Sequence, residues 1–220
     1  MKPFSKTLLP LACAALLGSA HAQTEPEGTS PWSVAVGPVH LAFSTKADLY
    51  AGGPVPGAGV HASSDNVLGV EIGYRLTPNW MARLDLANPV KSDLSGTGNL
   101  GPLGRLAGVK VGPAILTMNY TPGMWGPIRP YFGGGISYIK VFSASPGALQ
   151  NIKVDNNFGG VFLVGADWPL GDGYSIALSV QKLYLKTNAT GTVPAMGGAP
   201  VTASVRLDPL VTFLGVRKQF

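Results

Sequence analysis

Charged residues are scarce in this chain. Only 12% of its 220 residues are Asp, Glu, Lys or Arg, whereas a soluble domain usually carries about 25%. At the same time 45% of the residues are hydrophobic and the mean hydropathy is +0.23. Intrinsic disorder requires low hydrophobicity and high charge, so this composition excludes a disordered chain.

Long hydrophobic runs are also absent. The longest apolar run, residues 8–17, includes Pro10 and is shorter than the roughly 18 residues that a membrane-spanning helix needs. The sequence therefore excludes a helical membrane protein, and its apolar residues must be distributed in another way.

The chain has one cysteine, Cys13, which lies in a segment typical of a secretory signal peptide. Lys2 and Lys6 precede the apolar run, and residues 20–22 form a small-x-small cleavage site. We expect residues 1–22 to be removed and residues 23–220 to form one domain; a lipid anchor at Cys13 is the alternative. Loss of the two lysines lowers the formal charge from +5 to +3, which gives no reason to expect a nucleic-acid partner.

Apolar residues alternate with small or polar residues along most of the chain. In residues 68–76, for example, Leu68, Val70 and Ile72 share one face, and Glu71 and Arg75 share the other. Such alternation is typical of a β-strand with one oily face. The pattern occurs in eight segments: residues 32–43, 68–76, 80–86, 116–120, 132–138, 162–168, 176–180 and 210–219.

Eight such strands could form a soluble sandwich or a membrane barrel. A sandwich would expose a strongly charged outer face, with about 25–35% charged residues, but the second face here consists mainly of Gly, Ala, Ser and Thr. Small residues suit a narrow lumen, and closure into a barrel pairs every backbone group that lipid cannot bind. The sequence therefore predicts an all-β fold: an eight-stranded antiparallel up-and-down transmembrane β-barrel.

The lengths of the connections predict the orientation of this barrel. Residues 77–79, 121–127 and 169–173 form short links, and residues 44–65, 88–108, 143–157 and 187–203 form long ones. Outer-membrane barrels have short periplasmic turns and long extracellular loops. Aromatic residues crowd the short-turn end, where we expect a girdle and both termini: Tyr74, Trp80, Tyr120, Trp125, Trp168 and Tyr174.

Three motifs resemble those of the outer membrane protein W family of eight-stranded barrels. Residues 129–138 (RPYFGGGISY) are similar to the family's strand-five motif, residues 205–209 (VRLDP) to its signature before the last strand, and Phe220 to its terminal aromatic residue. The resemblance covers residues 32–220; Lys218 departs from it, because an aromatic residue is usual there. It implies location in the outer membrane among lipid and lipopolysaccharide, and an insertion signal at Phe220 for the barrel insertion machinery. It also implies passage of small hydrophobic molecules without catalysis.

Several charged residues fall on the predicted inward face. They are Glu71, Arg75, Arg83, Asp85, Arg129, Asp167 and Arg217. Unpaired charges in a narrow bore are costly, so we expect them to pair across it. The pairs form either a purely structural plug or one that also blocks flow into the periplasm, so that an oily solute leaves sideways through the wall.

Other inward positions are apolar and form a candidate path for hydrophobic molecules above the charges. They are Met81, Ile115, Ile139, Val161, Leu163, Val211 and Phe213; the resemblance adds Phe158, an aromatic position that lines the channel in the family. Ordinary filling of a narrow barrel explains the same pattern. Asp85 stands where the family has an aliphatic lumen residue.

Pro38 and Pro113, each after a glycine, fall within predicted strands. Proline removes a ladder donor and is usual at edges or bulges. The two prolines therefore mark either strand ends or weak seams that open the wall laterally.

The sequence contains little that suggests catalysis or cofactor binding. Residues 96–101 fit a G-x-G-x-x-G string, but no helical pattern follows and we expect a loop. His40, which we expect on strand one facing the lumen, and His61 have no carboxylate and serine at suggestive spacing, and two histidines make a poor metal site. We expect no cofactor, no metal and no catalytic residue; the sequence assigns no oligomeric state.

Three functional hypotheses follow. The first is passive passage of small hydrophobic solutes across the outer membrane. The second is a closed structural or receptor barrel that supports the envelope and presents extracellular loops. The third is a lipid-modifying enzyme that uses His40 and His61.

Overall fold

The computed structural model describes residues 30–50, 53, 55–194 and 197–220, and all long elements in these ranges are β-strands. The predicted signal peptide lies outside the described residues. The strands are β1 (Trp32–Ala42), β2 (Lys46–Tyr50), β3 (Ala58–Ala62), β4 (Asp65–Arg75), β5 (Trp80–Ala87), β6 (Val90–Gly98), β7 (Arg105–Tyr120), β8 (Arg129–Pro146), β9 (Gln150–Val154), β10 (Asn157–Gly171), β11 (Tyr174–Tyr184), β12 (Lys186–Val193), β13 (Ala199–Arg206) and β14 (Leu210–Gln219). A 3-10 turn covers Gly101–Leu103. None of the helices in the described ranges is long and apolar enough to cross a membrane.

Eight of the strands form a closed antiparallel barrel. The order around the barrel is β1, β4, β5, β7, β8, β10, β11 and β14, and β14 pairs again with β1. These strands contain the eight segments that alternate in the sequence, so the predicted eight-stranded barrel is confirmed. Closure leaves no free edge among the eight strands, so each one finds backbone partners on both sides.

Side chains alternate between the lumen and the outside, as the pleat of a strand requires. On β4, Glu71 and Gly73 are buried whereas Leu68 is exposed. The same parity runs through β1, where Ser33, Ala35, Gly37 and Val39 are all buried. Gly37–Pro38 therefore does not shift the phase of the first strand.

Aromatic side chains form two rings on the outer surface. At the short-turn end, Trp32 packs on Tyr74 with ring centroids 4.8 Å apart, and Trp80 packs on Tyr120 at 5.1 Å. Near the other end, Tyr138 packs on Phe158 at 4.8 Å. On β10 the two rings are ten residues apart, from Phe158 to Trp168, which corresponds to about 25 Å of height for a strand tilted by about 40°. An apolar band of this height between aromatic girdles is typical of an outer-membrane barrel.

Both ends of the barrel domain lie at the short-turn end. Ser33 is the register partner of Gln219, and the Phe220 N–H donates to the Trp32 carbonyl oxygen at 3.1 Å. The predicted position of the termini beside the short turns is therefore confirmed.

The long connections consist largely of further β-strands. They contain β2, β3, β6, β9, β12 and β13, which extend the barrel wall beyond the membrane band. The strands β2, β13, β12 and β9 form a second sheet, and β3 and β6 join the upper part of β7. Five buried apolar residues make a core within these extensions: Leu49, Val60, Leu106, Val193 and Val201.

Candidate functional site

A buried cluster of four charged side chains crosses the lumen. Arg217 on β14 donates from one terminal nitrogen to Glu71 Oε1 at 2.5 Å and from the other to Asp167 Oδ2. Arg83 Nε lies 3.5 Å from Glu71 Oε1, and Arg83 Nη2 lies 3.6 Å from Asp167 Oδ2. The four side chains are almost fully buried. Two positive and two negative charges therefore balance inside the barrel, as burial of charge requires.

Tyr131 on β8 completes this cluster. Its ring lies 3.7 Å from the Arg83 guanidinium carbon and 5.9 Å from that of Arg217, and its hydroxyl donates to the Leu178 carbonyl oxygen at 3.3 Å. A cation over an aromatic face is attracted by the ring quadrupole, most strongly when both are desolvated. The ring also fills space beside Gly165, where an added Cβ would lie 2.5 Å from it. Side chains of β4, β5, β8, β10 and β14 thus close the bore at one level.

The other charged residues of the predicted plug lie outside this group of four. Arg75 and Arg129 are on the short-turn side, and Arg75 Nη2 donates to Gln219 Oε1 at 3.1 Å. Asp85 is the cross-strand partner of Glu71, and its Oδ2 accepts a hydrogen bond of 2.7 Å from Gln181 Nε2. Asp85 faces the lumen as predicted, but its hydrogen bond is to the Gln181 amide and not to an arginine. Its place among the paired charges stays a prediction.

An apolar cavity of about 90 Å³ lies directly above the cluster. Glu71, Asp85 and Gln181 form its floor, and most of the remaining lining is aliphatic or aromatic. Five of the predicted path residues line it or pack beside it: Ile115, Ile139, Val161, Val211 and Phe213. Leu163 is fully buried on the same inward face of β10.

Two residues of the predicted path lie elsewhere. Met81 is on the short-turn side of the ion cluster, where its sulfur accepts a hydrogen bond from Arg83 Nε at 3.3 Å. Phe158 is 68% exposed and stacks on Tyr138 in the upper aromatic ring. Because Val161 and Leu163 face inward, period two places residue 158 on the outer face. The placement of Phe158 in the lumen is therefore wrong, whereas Met81 faces inward as predicted but does not line the cavity.

Neither proline interrupts its strand, but their surroundings differ. At Gly37–Pro38 the β1–β14 register is the same before and after, from Val36↔Val216 to Val39↔Phe213. A Cβ on Gly37 would lie 2.0 Å from the Leu214 carbonyl oxygen, so the strands approach closely there. Gly37 and Pro38 have register partners on β4 but, among the described strands, none on β14. A seam at Pro38 therefore stays a prediction.

Pro113 does lie beside a break in the wall. Gly112 and Pro113 have register partners on β8 but, among the described strands, none on β5 or β6. The pairing stops at Leu86↔Ala114 and resumes at Val90↔Val111. Residues 87–89, which include Pro89, therefore lie opposite only two residues of β7, Gly112 and Pro113. Two prolines without N–H groups therefore sit at the break, and the cavity reaches Ala87 and Pro113 on its inner side.

The histidines and the glycine-rich string make no site. His40 is exposed on the outer face, where Nδ1 lies 2.8 Å from Asn66 Oδ1, so its expected inward direction is wrong. His61 is exposed on β3. Residues 96–101 end β6 and enter the 3-10 turn, with no long helix after them. Within the residues that the structure describes, no group of three His, Cys, Asp or Glu side chains could hold a metal.

Sequence reasoning did not single out Gln181 and Tyr131. Both have the inward parity of their strands, which is visible in the sequence, but parity does not reveal which side chains meet across the lumen. Gln181 reaches Asp85 from β11, and Tyr131 reaches Arg83 from β8. These pairs depend on the stagger of strands far apart in sequence.

Comparisons with known proteins agree with this architecture. The model of the OmpW family matches residues 35–220. The dibenzothiophene metabolism operon protein PahQ of Pseudomonas aeruginosa is 33% identical over 192 residues, which are 87% of this chain and 89% of that protein. The outer membrane protein AlkL of Ectopseudomonas oleovorans is 29% identical over 77% of this chain and 72% of that one.

A solved structure shares the fold. The crystal structure of the outer membrane protein OprG from Pseudomonas aeruginosa matches with a TM-score of 0.80 at 23% identity, covering 87% of this chain and 97% of that chain. The closed barrel, its apolar outer belt and the match of the family model to residues 35–220 lead to one conclusion. The chain is an outer-membrane β-barrel and belongs to the OmpW family.

Proposed function

We propose that this barrel lets small hydrophobic molecules cross the lipopolysaccharide leaflet by passive diffusion and releases them sideways into the membrane. The observation that carries the proposal is an apolar cavity that stands on a closed ionic floor and borders a break in the barrel wall. The apolar cavity and its ionic floor indicate that an apolar solute can enter, and the break in the wall indicates where this solute can leave.

The ionic floor favours lateral exit over flow into the periplasm. Glu71, Arg83, Asp167 and Arg217 are buried and mutually paired. An apolar solute cannot replace these contacts, and separating a buried ion pair leaves uncompensated charges at a cost of about 3–5 kcal/mol. We therefore assign the plug role to these four residues, with Arg75 and Arg129 on its periplasmic side.

The exit is assigned to the place where Pro113 faces residues 87–89, because the cavity reaches the wall there. Opening a normal strand pair breaks a ladder of hydrogen bonds, but here two register positions of β7 lack partners on β5 or β6. The Asn88 N–H remains bonded to the Leu68 carbonyl oxygen at 3.1 Å, so β5 stays attached to β4. Movement between β5–β6 and β7 would thus open the cavity to lipid and leave the hydrogen bond between Asn88 and Leu68 intact.

The size of the cavity indicates that passage requires side-chain movement. Its volume of about 90 Å³ is below the roughly 150 Å³ of a core cavity that binds benzene. Above it, the apolar cluster around Leu49, Val60 and Val201 continues toward the extracellular extensions. Transfer of a solute into such surroundings is favourable by about 25 cal/mol for each Å² of apolar area buried.

The name of one relative suggests a test solute. PahQ is named for a dibenzothiophene metabolism operon, and dibenzothiophene is a flat, apolar molecule of three fused rings. A barrel whose cavity is lined mainly by apolar side chains suits an uncharged, apolar solute of this class.

Uptake measurements test the proposal. Cells that produce the full chain should take up dibenzothiophene several times faster than matched cells without it, whereas uptake of a polar sugar should not change. Equal rates of dibenzothiophene uptake, with the barrel present and folded in the outer membrane, would contradict the proposal.

A closed structural barrel is the second candidate. The small cavity and the packed core of the extracellular extensions favour it, because both restrict entry. In that case the extensions present a rigid surface outside the cell, and equal uptake rates would be the expected result.

Three further expectations belong to the same proposal. The exposed Phe220 serves as the insertion signal for the barrel machinery, and the outer aromatic rings contact lipid and lipopolysaccharide. The barrel has no catalytic role, which is consistent with the outward position of His40.

A further inference from the structure

The floor of the cavity contains one polar pair that the ion cluster does not use. Gln181 is 4% exposed and donates through Nε2 to Asp85 Oδ2 at 2.7 Å, across the lumen from β11 to β5. Both side chains line the cavity. The pair connects two strands on opposite sides of the apolar space and lies where a solute would come to rest.

Each member of this pair presents an unused acceptor. Asp85 Oδ1 and Gln181 Oε1 are buried, and no protein group in the described part of the chain donates a hydrogen bond to either oxygen. A buried acceptor without a partner costs about 1–3 kcal/mol, so a donor that reaches it binds favourably. Two oxygens on neighbouring groups could share one donor.

The charges around the pair favour a donor over another acceptor. Arg83 and Arg217 are engaged with Glu71 and Asp167, so these two arginines and two carboxylates balance. Asp85 adds a carboxyl group whose hydrogen bond is to a neutral amide. In its carboxylate form Asp85 can accept a hydrogen bond from a solute hydroxyl group, whereas an ether or a carbonyl oxygen would face two acceptors.

We propose that Asp85 and Gln181 form a polar subsite that selects apolar molecules carrying one hydrogen-bond donor, such as a phenol or a long-chain alcohol. The apolar body would lie against the aliphatic wall near Ile115 and Val211, and the hydroxyl group would point to the floor. This inference rests on the proposed function in so far as it names the class of molecule that the same cavity accepts.

Binding to the purified full-length mature barrel in detergent tests the subsite directly. The probes are 1-naphthol, which has a hydroxyl donor, 1-methoxynaphthalene, in which a methyl group replaces the donated hydrogen, and naphthalene, which has neither. We expect 1-naphthol to bind about tenfold more tightly than 1-methoxynaphthalene, as one additional hydrogen bond allows.

Variants locate the effect. The double variant Asp85→Leu/Gln181→Met should bind the three probes within about twofold of one another. Ser179→Ala is the matched control: Ser179 is a buried polar residue on the same face of β11, one inward position below Gln181, and does not line the cavity. It should keep the tenfold preference. If the double variant does not show the heat-modifiable migration of a folded barrel, the single variant Asp85→Asn replaces it. We expect Asp85→Asn to reduce the preference for 1-naphthol at least threefold.

The outcomes separate this inference from the proposed function. Equal binding of the three probes to the unchanged barrel, or a preference that survives in the folded double variant, overturns the polar subsite. Naphthalene uptake by cells tests passage independently. A preference for 1-naphthol without any uptake of naphthalene supports the subsite and contradicts the proposed transport. Uptake of naphthalene without a preference for 1-naphthol supports the transport and contradicts the subsite.

Discussion

Tyr131 contacts both arginines of the ionic floor. Its ring lies against the Arg83 guanidinium, and its hydroxyl reaches the carbonyl oxygen of Leu178 on β11. One side chain therefore satisfies a buried cation and fills the gap beside Gly165. An aliphatic residue could fill part of the space but could not attract the cation.

Replacing Tyr131 with Leu should lower the free energy of unfolding by about 2–4 kcal/mol. A desolvated cation–π contact contributes about 2 kcal/mol, and the lost ring volume adds a cavity term. Tyr131→Phe is the control, because it keeps the ring and loses only the hydroxyl contact, worth about 1 kcal/mol. Urea unfolding of the barrel in lipid vesicles measures both; similar losses for the two variants would show that the hydroxyl, not the ring, stabilises the floor.

At the scale of single residues, sequence reasoning predicted facing directions better than contacts. Glu71, Arg83, Asp167 and Arg217 have inward parity and do lie in the lumen. Parity could not show that Asp85 would pair with Gln181, because that contact depends on the height of β11 relative to β5. The resemblance places Phe158 in the channel, but the alternation of β10 turns this side chain outward.

Gly37 is the position where two strands of the wall depend on the absence of a side chain. A Cβ there would lie 2.0 Å from the carbonyl oxygen of Leu214 and 2.5 Å from the Cα of Gly215, both on β14. These are backbone atoms, so they cannot rotate away as the end of a flexible side chain could. The pair β1–β14 joins the first and last barrel strands and completes closure.

Gly37→Ala should therefore reduce the fraction of chain that closes into a barrel. We expect the variant to lose at least half of the heat-modifiable species on a gel after refolding in detergent. Gly160→Ala on β10 is the matched control, since nothing lies within 4 Å of the Cβ it would add. Normal folding of Gly37→Ala would mean that β1 and β14 can separate without losing closure, and a seam at this position would need to be reconsidered.

The strand pair β5–β7 offers a test of lateral exit. Leu86 and Ala114 are register partners immediately before the break, and facing residues in an antiparallel pair have Cα atoms about 4.5–5.5 Å apart, within disulfide range. The pair Leu86→Cys/Ala114→Cys should reduce dibenzothiophene uptake at least threefold when oxidised and recover it after reduction. The cross-link prevents β5 and β7 from separating.

A second cysteine pair controls for the cross-link itself. Val36 and Val216 are also outward-facing register partners, on β1 and β14. The pair Val36→Cys/Val216→Cys should leave uptake unchanged in both redox states. If both pairs reduce uptake equally, or if neither does, the exit is not between β5–β6 and β7.

At the scale of secondary structure, the sequence predicted the barrel strands but not their extensions. In the eight membrane segments every second residue is apolar, because one face of the barrel wall contacts lipid and the other faces the lumen. Beyond the membrane both faces can be polar, so strands such as β12, which contains residues like Thr187, Asn188 and Thr190, lack that signal. Because these segments are rich in Gly and Pro, their sequence favours loops, although their backbones pair as a sheet.

The whole molecule is defined by an outer surface that only a bilayer can cover. Large apolar side chains such as Leu68, Phe132, Ile136, Phe162 and Leu214 are about half exposed around the barrel. Soluble monomers rarely expose apolar patches larger than a few hundred Å², so a continuous belt of this kind requires lipid. The four tryptophans are not spread over the belt; Trp32, Trp80, Trp125 and Trp168 all lie at its short-turn end.

This one-sided arrangement makes a prediction for the barrel in lipid vesicles. Tryptophan at an interface places its ring at the level of the headgroups, so lipids brominated near the headgroup should quench the intrinsic fluorescence at least twice as strongly as lipids brominated near the chain ends. A control barrel in which the four tryptophans are Phe and Leu178, in the middle of β11 and 47% exposed, is Trp should show the opposite order. Absence of quenching by either lipid would mean that the outer face does not meet hydrocarbon. Because the inward and outward faces of every barrel strand are linked by the same parity, that result would also remove the basis for placing the ion cluster and the apolar cavity inside.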